Sequence, residues 1–175
     1  MDKYRIDLKG MQTSSDKFEF HLGDSFFAEV EASDVQRGQV DVTLAVRKTS
    51  HAFDLRFHTE GYVVVMCDRC LDEMEQPIVS DDFLRVRFGS TYSEEDDNWV
   101  VVPEDEGAIN VAWLMYEFIA LAIPMKHVHA PGECNGIMDS ELHKYLRISP
   151  DDDDEEDYSA EDDGSSSDAE GDKPI

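Results

Sequence analysis

Cys67 and Cys70 are separated by two residues and follow directly on the apolar run 62–66. This spacing lets a tight backbone knuckle present both sulfurs to one tetrahedral ion. Far along the chain, His129 and Cys134 are separated by four residues in a segment whose Pro131 and Gly132 let the backbone wrap an ion. Cys67, Cys70, Cys134 and one imidazole, His129 or alternatively His127, compose a closed shell of three sulfurs and one nitrogen. Such a shell suits a structural zinc, since a catalytic zinc keeps one position open. A zinc here clips two distant stretches together and contributes stability.

Two other readings use the same residues. In one, the cysteines are free thiols packed at a strand end and the histidines are ordinary loop residues. In the other, the pair is the redox site of a thiol oxidoreductase, because an apolar strand followed by Cys-x-x-Cys also opens thioredoxin-like sites. Asp68, Asp72 and Glu73 surround the pair, and their charge is expected to raise the thiol pKa values, with Arg69 opposing. The three cysteines are an odd number and argue against a disulfide framework. No glycine-rich phosphate loop, Gly-x-Ser-x-Gly elbow or His-Glu-x-x-His helix occurs, so an enzyme is not expected.

The elements that must position these residues read mainly as strands. Tyr4, Ile6 and Leu8 alternate with charged residues, and so do Phe18 and Phe20, at the period of half-buried strands. A short helix is expected over 24–32, with Asp24 as its cap. Val40, Val42, Leu44 and Val46, then Phe53, Leu55 and Phe57, predict a hairpin turning near 48–50. A further strand over 62–66 runs into the cysteine pair, and others follow at about 77–88 and 99–102. A polar loop is expected over 89–98. One strong helix, capped by Asn110, carries Val111, Leu114, Met115, Phe118, Leu121 and Ala122 on one stripe until Pro124 ends it. The expected fold is α+β: an antiparallel β meander, or partly closed sheet, covered by one main C-terminal helix. The stretch 111–123 is too short to span a bilayer, and 1–8 carries too many charges for a signal peptide. A cytoplasmic protein with no membrane association is expected.

Charge divides the chain in two. Of 41 acidic and 15 basic residues, 13 acidic and one basic fall in 151–175, which leaves the tail at −12 and the body at −14 of the total −26. Residues 1–149 are read as a single domain and 150–175 as a disordered acidic tail, which cannot bury enough apolar area to offset chain entropy. So acidic a surface disfavours direct nucleic-acid binding, which relies on Lys and Arg displacing condensed counterions. Basic proteins, among them ribosomal proteins or assembly factors, are the expected partners. The tail is either a solubilising segment or a nucleic-acid mimic.

Three stretches carry a family resemblance: Cys67-Asp68-Arg69-Cys70-Leu71 after an apolar strand, a helix ending Ala120-Leu121-Ala122-Ile123-Pro124, and Val128-His129 with Cys134. They resemble the YceD family, the large ribosomal RNA subunit accumulation proteins, over residues 1–148. The resemblance implies a small, mixed α/β, non-catalytic protein of bacterial or plastid type that supports large-subunit ribosomal RNA accumulation. It also implies Cys67, Cys70, His129 and Cys134 as the family's Cys/His motif. The acidic tail lies outside that pattern.

Overall fold

The computed structural model describes residues 2–30, 35–96 and 98–145. The proposed disordered tail, and the end of the helix expected to reach residue 32, lie outside the described residues.

Strict alternation builds the main sheet. In β3 (Gly38–Lys48) Val40, Val42, Leu44 and Val46 all point inward. β4 (Phe53–Met66) keeps a single inward phase through Phe53, Leu55, Phe57, Thr59, Val63 and Val65. The two expected strands 53–57 and 62–66 are thus one, since β4 pairs with β3 from Lys48↔Phe53 to Gly38↔Val63. β5 (Glu73–Gly89) pairs with the whole of β4, from Phe53↔Val86 to Met66↔Glu73. β2 (Ser15–Leu22) lies on the other edge of β3.

The meander stops there, and the expected fold is corrected in two respects. β7 (Trp99–Pro103) pairs with β5 in parallel, with β6 (Ser93–Asp96) outside it, giving a six-stranded mixed sheet in the order β2-β3-β4-β5-β7-β6. A parallel pair cannot be joined by a tight hairpin; the chain leaves β5, forms β6 within the expected polar loop, and returns as β7 between them. A second sheet joins β1 (Arg5–Asp7) to β8 (Ala108–Asn110).

The second correction concerns the helices. Among the described residues no single main helix covers a sheet: they are mostly strand, with three short α-helices, α1 (Asp24–Val30), α2 (Ala112–Ala122) and α3 (Gly136–Tyr145). The sequence stripe overstated α2. Leu121, expected on its buried face, is 82% exposed, whereas Tyr116 and Ile119 are buried. At 11 residues the helix is too small to cap the sheet alone, and α1 shares that task by burying Phe26, Phe27 and Val30. Asn110 accepts a hydrogen bond from the Ala112 N–H through Oδ1 at 3.0 Å, although Val111 occupies the cap position itself.

One core results, in which Phe57 packs against Phe118 with ring centroids 5.1 Å apart and Tyr4 meets Phe26 at 5.2 Å. Asp54 is a buried carboxylate in β4, reached by Arg47 of β3 and Arg85 of β5 at 3.3 Å each. At Gly61 the backbone of β3 leaves β4 no room for a side chain. The glycine's φ is +154°, and an added Cβ would run into the Gln39 carbonyl oxygen and lie 2.7 Å from the Val40 Cα. Backbone on both sides cannot give way as a side chain would, so Gly61→Ala is expected to destabilise the fold by about 1–3 kcal/mol in chemical denaturation. An unchanged midpoint would place the two strands farther apart than described.

Candidate metal centre

The inward phase of β4 runs straight into Cys67, the first residue past the strand. Its side chain therefore arrives on the core side, fully buried. The chain must then reverse into β5 within 67–72. The Cys67 N–H donates to the Asp72 carbonyl at 2.8 Å and the Leu71 N–H to the Cys67 carbonyl at 2.9 Å. Leu71 takes φ +61°, a left-handed conformation that closes the turn and is the only positive φ among the described non-glycine residues. This knuckle brings the buried Cys70 sulfur beside that of Cys67.

The second half of the site arrives from α2. Ile123 turns to extended backbone at the helix end, and Pro124 cannot continue the helix. The chain then folds back onto the knuckle, where a reciprocal backbone clasp holds it: the Asp68 N–H donates to the His127 carbonyl at 2.9 Å, and the His127 N–H to Asp68 Oδ2 at 2.8 Å. Two residues later His129 faces the cysteines. Gly132, at φ +88°, then allows the turn that brings Cys134 in.

Cys67, Cys70, His129 and Cys134 converge, with their donor atoms all within 4.8 Å of one another. The Cys67 and Cys134 sulfurs are 4.0 Å apart, and Cys70 Sγ lies 3.3 Å from His129 Nδ1. Around a tetrahedral zinc with bonds near 2.3 Å to sulfur, the sulfurs stand about 3.8 Å apart. The donor set and its spacing therefore fit such an ion, and the four groups could hold one. His127 has other partners: Nδ1 lies 3.1 Å from the Pro124 carbonyl oxygen and Nε2 3.7 Å from Asp68.

Electrostatics at the site differ from the expectation that neighbouring carboxylates would raise the thiols. Burial does oppose ionisation of Cys67. Against it, the backbone N–H groups of Cys70, His129 and Arg69 and the Cys70 side chain bring the thiol down to about 6. Asp68 is occupied by the clasp instead of facing the sulfur. Contact with the Cys67 sulfur, and then Cys70, holds the His129 imidazole above its ordinary value despite burial. Cys134 is pushed up to about 11, by burial first and then by Cys70 and Cys67. One thiolate at this site thus makes the next costly. A dication removes that penalty, because all three sulfurs can then ionise against it.

The Asp68–His127 clasp escaped the sequence reading, which treated Asp68 only as a charge near a thiol. An aspartate within the knuckle and a histidine two positions before the candidate ligand were the available signal, but two groups 59 residues apart carry no local periodicity.

Fold and site together define a small mixed-sheet protein in which a hairpin knuckle and the segment after α2 are joined through a Cys3His cluster. The chain belongs to the family described as large ribosomal RNA subunit accumulation protein YceD, whose model matches residues 55–163. That match starts at β4 rather than at the N-terminus and runs on into the acidic segment beyond residue 150. No curated protein and no solved structure matches the chain. The family description is that of an accumulation factor and names no reaction. Among the described residues, no helix is long and apolar enough to cross a membrane.

Proposed function

We propose that this protein is a non-catalytic, cytoplasmic accessory factor in ribosome biogenesis that supports large-subunit ribosomal RNA accumulation by binding proteins, with a structural zinc at Cys67, Cys70, His129 and Cys134. The observation that carries the reading is the family match over residues 55–163. The net charge of −26 supports the choice of partner: a surface of this sign repels phosphate backbones and attracts basic proteins, among them those of the large ribosomal subunit.

The depressed thiol of Cys67 is a feature shared by redox cysteines and zinc thiolates. Accessibility favours the second, because a redox nucleophile must reach its substrate, and Cys67 and Cys70 are 0% and 3% exposed. The hairpin knuckle also gives neither thiol the helix N-terminus that activates thioredoxin-like sites.

Tagged full-length protein is expected to retain basic large-subunit proteins from a ribosomal protein mixture at about 50 mM salt and to release most of them by about 500 mM, as charge-steered contacts are screened. Retention of none at the lower salt overturns the proposed partner class.

A further inference from the structure

The described residues expose ten large apolar side chains, and six of them flank the four cluster residues: Met66, Leu71, Met125, Val128, Ile137 and Met138. Met125 is fully exposed, Ile137 78% and Leu71 61%. Each lies one to four positions along the chain from a cluster residue. At about 3.8 Å between consecutive Cα atoms, chain length alone keeps each of the six Cα atoms within about 15 Å of the Cα of a cluster residue. The remaining four are spread over other elements, so exposed apolar surface is concentrated at the knuckle end. Exposed apolar side chains concentrated in one region, with polar residues between them, mark an interaction site.

Leu71 sharpens the point. At φ +61° a glycine would close the turn without steric cost, whereas leucine is strained there. The strained side chain is then turned out to solvent, where it contributes nothing to the core. Its contribution is accounted for if another molecule covers it. The rim is acidic: Asp72, Glu75 and Glu133 are exposed at these positions, against Arg69 and Lys126, while Glu73 is already paired with Arg37.

We propose that the knuckle end of the molecule is a docking surface for a protein segment that carries apolar side chains flanked by lysines or arginines. The segment lays its apolar side chains on Leu71, Met125 and Ile137, and its cations meet the carboxylate rim. Methionines suit such a surface, since their unbranched thioethers adapt to a partner's shape. The cluster holds the two halves of the patch together, as Met66 and Leu71 belong to the hairpin and the others to the segment after α2. This inference rests on the reading of the protein as a binding factor and names where it binds.

The test uses the full chain carrying its metal and a labelled helical peptide with leucines on one face and lysines on the other, followed by fluorescence anisotropy. Leu71→Asp and Met125→Asp are expected to weaken binding about tenfold or more, with zinc content unchanged. Val79→Asp adds the same charge at an apolar side chain about as exposed as Leu71, within β5, and is expected to leave binding within about twofold. Should Leu71→Asp disturb the turn, Met125→Asp still reads the surface. Equal loss in all three variants, loss in none, or equally tight binding of a peptide with serines in place of the leucines overturns the proposal. Concentration-dependent dimerisation abolished by Met125→Asp would replace the partner segment with a second copy. In the ribosomal pull-down, retention unaffected by Met125→Asp sinks the docking surface alone, whereas no retention by the unaltered protein sinks the partner class beneath it.

Discussion

Cys67→Ser is expected to reduce zinc from about one ion per chain to less than about a tenth, and to lower the melting temperature by on the order of 10 °C. A hydroxyl is a far poorer zinc donor than a thiolate. Here the lost group is also a thiol held well below its ordinary value, at about 6, by backbone N–H groups that favour the thiolate. The stability change follows from linkage: an ion bound by the folded chain and not by the unfolded one adds its binding free energy to folding. The site should respond strongly because its donors come from the β4–β5 hairpin and from the segment after α2, so losing the ion frees two parts of the chain from each other. Acid should have the same effect as the substitution, since each donor must shed its proton to bind metal. Cys134 and His129 are both held above their ordinary values, so each takes up its proton at a higher pH than the free group would. Elemental analysis of protein purified without chelator, with thermal melts beside it, measures both effects. Less than about a tenth of an ion in the unaltered protein would return the four residues to ordinary packing.

Phe57→Ala is expected to cost about 3–5 kcal/mol, enough to bring a domain of this size close to unfolding at room temperature. Phe57 is 1% exposed, and its ring is the contact by which β4 receives Phe118 of α2. Removing it leaves a cavity between sheet and helix that backbone pairing on both edges of β4 keeps from collapsing. Urea titration followed by far-ultraviolet circular dichroism gives the loss, with an unchanged slope if the denatured state is unaffected. A cost below about 1.5 kcal/mol would mean that α2 does not pack on β4 as described.

Most of the main sheet was legible in the sequence, because a strand with one buried face imposes period two on its side chains. Val40 to Val46 and Phe53 to Phe57 fall on the core side as read. The join of 53–57 to 62–66 was not legible. Gly61 resembles a break in a strand, and only the backbone of β3 pressed against it explains its place within one. The parallel seat of β7 and the pairing of β8 with β1 were hidden for a related reason: three- to five-residue strands carry too few alternations to declare a partner. The length of the apolar stripe in α2 misled, since a helical period measures amphipathicity and says nothing of how much neighbouring surface exists to be covered.

The sequence by itself determined the chemistry available: three thiols, two with knuckle spacing, and two histidines in a segment that Pro124 must turn away from its helix. The tertiary structure alone decided which of these meet. His129 enters the cluster and His127 does not, because the Asp68 clasp engages the His127 backbone and leaves the residue two positions later to face the sulfurs. Donor type and local spacing are written in the order of residues, but an encounter across 59 positions depends on a sheet and a helix end being folded first.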